Sequence, residues 1–362
     1  MTVPSVLAAA TLSINLAALA NNWRAIAQRI APAECGATIK ADGYGCGAAK
    51  VAAALWNAGC KTFFVALPME GKQLRETLPD ATIYVLDGLF GGQAAFYENH
   101  DLRPCLASPD EVSEWIGATG GKHKAALHVD TGINRLGLDM PQAEALAGNI
   151  ALMEKAGLCL LMSHLASGYD ETGAANEGQR QRFKVLRKLF PALPGSLANS
   201  PGTYLGADYA HDLARPGVAL FGGNPFSDRR NDLEPVVHLS APVLQVRDVA
   251  TGDGVGYGAT WRADRQTRIA VIGVGYADGL MRATGNGPAM VAFNGQVAPI
   301  VGRVSMDMIT VDVTDMQDVR RGSVAELLGT HITVDDWAGW AGTIPYEILT
   351  SLGRRYAKVY SS

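Results

Sequence analysis

Between Gly36 and Gly222 the chain alternates short apolar runs with amphipathic stretches, and this alternation restricts the fold more than any other feature. The apolar runs read "GATIK", "TFFVAL", "TIYVLD", "PCLAS", "AALHVD", "CLLMSH", "GSLANS" and "GVALFG". Helical patterns such as "AAKVAAALWNAG", "PDEVSEWIG" and "EGQRQRFKVLRKLF" lie between most of them. Strand–helix alternation builds a parallel sheet through right-handed crossovers. Eight such units predict an α/β fold, a (β/α)8 TIM-type barrel, over an open doubly wound sheet. No G-x-G-x-x-G follows the first strand, which argues against a dinucleotide site. From about Val236 the pattern becomes short strands and turns, as in "TRIAVIGVG" and "PAMVAFNGQVAPIVGRVSMDMITVDVTD". The barrel is therefore expected over residues 12–235 and a mostly β C-terminal domain over 236–362.

The start of the chain is apolar, but no Lys or Arg precedes Arg24, and Ser13, Asn15, Asn21 and Asn22 interrupt the run. A signal peptide is not expected. "ATLSINLAALANNWRAIAQRI" reads as a strand feeding an amphipathic helix, with Asn15 as N-cap and an apolar stripe of Leu16, Leu19, Trp23, Ile26 and Ile30. The five cysteines include no CxxC pair, which predicts free thiols and a cytoplasmic protein. No apolar run approaches the ~20 residues of a membrane span. A net charge of -4, with no large basic cluster, argues against nucleic acid and anionic membranes as partners.

Barrels place their chemistry at the C-terminal ends of the strands. There the sequence sets Lys40 and Tyr44, then Asp130, Asn134 and Arg135, then His164, Asn199, Ser200, Arg215 and Gly217. Each has a plain structural reading: a solvated lysine, a hydrogen-bonded histidine, an Arg135–Asp130 pair. Their convergence on one face predicts a site. His128 and His164 lack partners at ligand spacing, so no metal is expected. Asn199, Ser200, Gly217 and Val218 fall where barrels hold a phosphate on backbone N–H groups. A strand-end lysine beside a phosphate cradle fits a phosphorylated aldehyde, and pyridoxal 5'-phosphate (PLP) meets both requirements.

The stretches "TIKADGYGCG", "HVDTGINRLG", "MSHLAS", "ANSPG", "LARPGVALFG", "VGYGATW", "VIGVGYADG", "PIVGRVSMDM" and "GTIPYEILTSLGRR" resemble, in order, the motifs of bacterial alanine racemase. The resemblance implies PLP on Lys40, a C-terminal β domain joined by the first eleven residues or so, and a homodimer with composite active sites. It also implies an amino-acid substrate, L- or D-alanine. Lys40 and Tyr257 would be the two catalytic bases, Tyr257 coming from the partner subunit. Tyr44, Ser200, Gly217, Val218 and Tyr346 would hold the phosphate. Arg215 would face the pyridine nitrogen, and His164 would link Arg215 to Tyr257. Arg135 would meet the cofactor's phenolic oxygen and the substrate carboxylate. The backbone N–H of the partner subunit's Met306 would bind that carboxylate, with Asp307 beside it, and Tyr276 and Tyr346 would narrow the entrance.

Two positions depart from the family pattern. Cys46 stands where histidine is usual, and His128 stands where many members carry a carbamylated lysine. No carbamate is expected here. His128 itself, a bound anion or Asn134 are the candidates for orienting Arg135. A racemase for serine or another amino acid is the main alternative. A PLP-dependent decarboxylase needs no second base, so Tyr257 argues against it.

Overall fold

The computed structural model describes residues 10–226 and 229–362. The described chain divides into two units. One comprises Ala20–Leu220 with described residues of Pro225–Asn231. The other comprises residues 10–19, Phe221–Asn224 and Asp232–Ser362. Residues 1–9, part of the segment expected to join the C-terminal domain, lie outside the described residues.

The first unit is a parallel barrel. Ala37–Thr38, Thr62–Val65, Thr82–Val85, Arg103–Leu106, Ala125–His128, Leu158–Met162 and Gly195–Ser196 pair in sequence order, every neighbour parallel. The eighth position is a correction to the sequence reading. "GVALFG" is not the closing strand; Val218–Phe221 is a 3-10 turn. Leu213–Ala214 pairs parallel with Glu34–Cys35 instead. The Arg215 N–H reaches the Ala198 carbonyl at 2.9 Å, and the Thr38 N–H reaches the Pro216 carbonyl at 2.8 Å, so this segment bridges the last and first strands. Pro216 has no N–H to extend the ladder, and the next residues turn away. Phe64, Tyr84, Cys105, Ala126, Leu160, Met162 and Leu213 form one interior cluster.

In the second unit Thr11–Asn15 lies between Val237–Val249, antiparallel, and Ala357–Ser361, parallel. Asn15 caps the helix Leu16–Ile30 by accepting the Ala18 N–H at 3.0 Å. Val237–Val249 is long enough to serve two partners. Its first half pairs with Val324–Leu328 and its second half with Thr267–Ile272, across an irregularity at Val243–Gln245. That shared strand closes the antiparallel order Thr267–Ile272, Ile309–Asp312, Gln296–Val301, Met290–Phe293, Val324–Leu328 into a small barrel. Among the described residues no helix is long and apolar enough to cross a membrane.

Candidate active site

The first strand ends in an uncommon turn. Ala41, Asp42, Gly43 and Tyr44 all take left-handed backbone angles, with φ of 54°, 55°, 62° and 54°. Each non-glycine residue there costs roughly 1–2 kcal/mol. Side-chain hydrogen bonds hold it. Glu70 accepts the Ala41 N–H at 2.7 Å and the Ala66 and Leu67 N–H groups at 2.8 and 3.1 Å. Asp42 accepts the Ala48 N–H at 2.9 Å, and the buried Cys46 thiol donates to the Tyr44 carbonyl at 3.6 Å. Lys40 therefore opens a rigid turn, half-buried and without an ion pair among the described residues.

The turn delivers Tyr44 to Gly217. A Cβ on Gly217 would overlap the Tyr44 hydroxyl, so any side chain there would displace that hydroxyl. Buried Ser200 is at the same place: its Oγ accepts the Gly217 N–H at 2.8 Å and the Ala219 N–H at 3.3 Å. The Val218 N–H, at the start of the 3-10 turn, meets no acceptor among the described residues. Two hydroxyls and an open N–H thus form a cradle of the kind that takes a phosphate.

Deeper in the barrel, Arg215 is buried without any carboxylate partner among the described residues. It donates to the Ser196 hydroxyl and to the Ser163 carbonyl, the latter at 2.5 Å, and lies 5.9 Å from the Phe64 ring centre. Burial pulls the guanidinium down to about 10. His164 is held well below its ordinary pKa by burial first, then by the charges of Arg215, Arg135, His128 and Lys40. Its ring meets Asn199 Nδ2 at 3.3 Å, and no hydrogen bond joins it to Arg215. His128 is pulled down to about 4 by burial and by Arg215 and Arg135, and neither ring nitrogen has a partner. Both imidazoles are neutral near pH 7.

Arg135 is exposed, on a loop organised by Asp130. The Asp130 carboxylate accepts the Gly132, Ile133 and Asn134 N–H groups at 2.8, 3.0 and 3.0 Å. It is therefore occupied by its own loop and forms no ion pair with Arg135. His128 lies under this loop, its ring 3.2 Å from where a Gly137 Cβ would be. Lys40 and Arg135 stand at the strand ends and Arg215 lies buried below, three cations that suit an anionic ligand. The residues fit PLP in three respects: an amine on a turn held by side-chain bonds, a cradle of two hydroxyls and an open N–H, and a buried donor lacking a carboxylate.

The remaining candidates are in the second unit. Tyr257 opens the 3-10 turn Tyr257–Ala259 between Gly256 and Gly258, both at φ 74°, and is 72% exposed. Tyr276 opens a second such turn, Tyr276–Asp278. Met306 is 53% exposed, with Asp307 beside it, and the Met306 N–H has no acceptor among the described residues. Tyr346 is half-buried on the helix Pro345–Ser351. The sequence reading did not single out Ser163, Ser196, Glu70 or Ala219. Ser163 adjoins His164 in "MSH", but nothing local marks it as an acceptor for Arg215.

These features define a two-unit α/β-barrel protein with a lysine and a phosphate-type cradle at its strand ends. The chain belongs to the alanine racemase family. The alanine racemase N-terminal domain matches residues 14–225 and the C-terminal domain residues 236–360. It is 49% identical over 356 residues to the alanine racemase of Methylobacterium sp. (strain 4-46), covering 97% of each chain. It is 46% identical to that of Brucella ovis, covering 96% of this chain and 93% of the relative. Among solved structures, alanine racemase from Bartonella henselae with covalently bound pyridoxal phosphate superposes with a TM-score of 0.93 at 40% identity, covering 98% of this chain and all of that one. Biosynthetic alanine racemase from Pseudomonas aeruginosa gives 0.92 at 32% identity, covering 98% and 100%.

Proposed function

We propose that the protein interconverts L- and D-alanine with PLP as cofactor, acting as a homodimer in the cytoplasm. The observation that carries this reading is the cradle of Tyr44, Ser200, Gly217 and Val218 beside Lys40, in a chain of this family. When bound, PLP supplies a conjugated electron sink for negative charge at the substrate's α-carbon. The protein's own groups do the rest. The Lys40 amine would hold the aldehyde and exchange the α-proton on one face. Tyr257 of the partner subunit would exchange it on the other, since inversion requires a base on each face. Its exposure in the single chain suits a residue that works in another copy's site.

Ser200, Tyr44, Tyr346, Gly217 and the open Val218 N–H would bind the phosphate, with Asn199 bracing His164. Arg215 would face the ring nitrogen. A guanidinium donates a hydrogen bond and accepts no proton, so Arg215 would leave the ring nitrogen unprotonated, and the weaker sink would restrain side reactions. Arg135 and the free Met306 N–H would set the substrate carboxylate, with Asp307 beside Met306 and Tyr276 at the entrance. Five free thiols, four of them buried, suit a reducing compartment. The barrel of residues 12–235 would hold the cofactor, and the domain of 236–362 would supply the partner's site. Incubating the PLP-loaded protein with a panel of L-amino acids tests the proposal. D-alanine should accumulate from L-alanine; no D-product from any member of the panel would sink it.

A further inference from the structure

Arg355, in the stretch "GTIPYEILTSLGRR", joins two loops of the second unit. Its Nε donates to Asp278 Oδ1 at 2.7 Å and its Nη2 to Asp278 Oδ2 at 2.9 Å, a side-on fork. Its Nη1 donates to Asp307 Oδ1 at 2.8 Å. Asp278 closes the turn that begins at Tyr276, and Asp307 follows Met306. Backbone bonds bring the same loops together: the Tyr276 N–H donates to the Ser305 carbonyl and the Ala277 N–H to the Met306 carbonyl, both at 3.0 Å. Any Cβ on Gly275 would overlap those two carbonyls, so the approach leaves no slack. Asp278 is pinned further, its Oδ2 accepting the Gly275 N–H at 2.9 Å and its carbonyl the Gly353 N–H at 2.8 Å. The Met306 N–H is left as an open donor of its loop.

We propose that Arg355 is a positioning residue for the substrate carboxylate, an inference that rests on the function proposed above. It acts in two ways. The fork fixes the Tyr276 turn against the Met306 loop, so the open N–H and the tyrosine ring keep one spacing. The guanidinium also neutralises Asp307, whose charge would otherwise stand one residue from a donor that must receive an anion. Without Arg355 the two aspartates repel each other and the incoming carboxylate. Both enantiomers share that carboxylate, so the effect is the same in the two directions.

The test compares PLP-loaded wild type with Arg355→Gln and Arg355→Lys, reading KM and kcat for both enantiomers, bound cofactor and the thermal midpoint. For Arg355→Gln, KM should rise about tenfold for L- and D-alanine alike while kcat falls by less than about threefold and cofactor content holds. Arg355→Lys keeps the charge and loses the fork, so its KM should fall between the two. A lowered thermal midpoint with KM within about twofold of wild type overturns the proposal and leaves Arg355 structural. If Arg355→Gln does not fold, Arg355→Lys is judged by the same criterion; failure of both to fold also makes the residue structural and overturns the proposal. A wild type inert toward alanine fails the proposed function itself, and the positioning role falls with it.

Discussion

Lys40 and Tyr257 require different things of their surroundings, and substitutions should separate them. Borohydride should fix the cofactor covalently to wild type and not to Lys40→Ala. Tyr257→Phe should retain the cofactor and lose racemisation, mainly from L to D. His128 makes a third prediction at this scale. It is neutral and buried when folded, and titrates near its ordinary value when unfolded. The unfolded chain therefore binds the proton more readily as pH falls, and stability present above about 6.5 is lost as pH drops towards about 4. The shift corresponds to a loss on the order of 3 kcal/mol. His164, lowered for the same reasons, adds to it. Denaturant midpoints measured from pH 7.5 to 4.5 should fall, and His128→Asn should flatten the fall; an unchanged slope in that variant would assign the acid sensitivity elsewhere.

The decisive element is the left-handed turn after the first strand. Glycines in "TIKADGYGCG" signal a tight turn, but Ala41 and Asp42 give no sign of positive φ, because the support comes from Glu70, 29 residues from Ala41. Glu70→Ala should remove the acceptor of three N–H groups, only that of Ala66 being part-buried, and cost about 1–3 kcal/mol, whereas Ala41→Gly should be neutral or stabilising by up to about 1 kcal/mol. Gly217→Ala makes a separate claim. The fold should survive, since the strand pairings end before this position, but displacing the Tyr44 hydroxyl should weaken PLP binding by about tenfold or more. Equilibrium dialysis against PLP, with the circular dichroism spectrum as control, reads both halves. The closing strand was misplaced for a related reason. Apolar "GVALFG" looks like a strand, but Pro216 and the two N–H groups held by Ser200 make it a turn.

At the scale of the whole molecule, the proposed composite site predicts complementation. Lys40→Ala and Tyr257→Phe should each be inactive alone. Mixed and allowed to exchange, they should regain roughly a quarter of wild-type activity, because half the dimers are hybrids with one intact site in two. No recovery after demonstrated exchange would place both bases in the same chain.

Much of the site was legible from residue type and order. A lysine at a strand end, hydroxyls and glycines after the seventh strand, and an arginine entering the eighth are local features, and barrel topology gathers strand ends on one face. The sequence alone determined the barrel, the β domain after it, the family resemblance and the residues that would carry the chemistry. Tertiary structure decided what each group meets. It gave Arg215 two serine partners in place of a carboxylate, spent Asp130 on its own loop, and joined Arg355 to aspartates 77 and 48 residues away. Periodicity reports which face of an element is buried. The partner a buried polar group finds there depends on contacts between distant segments, and those exist only once the chain has closed.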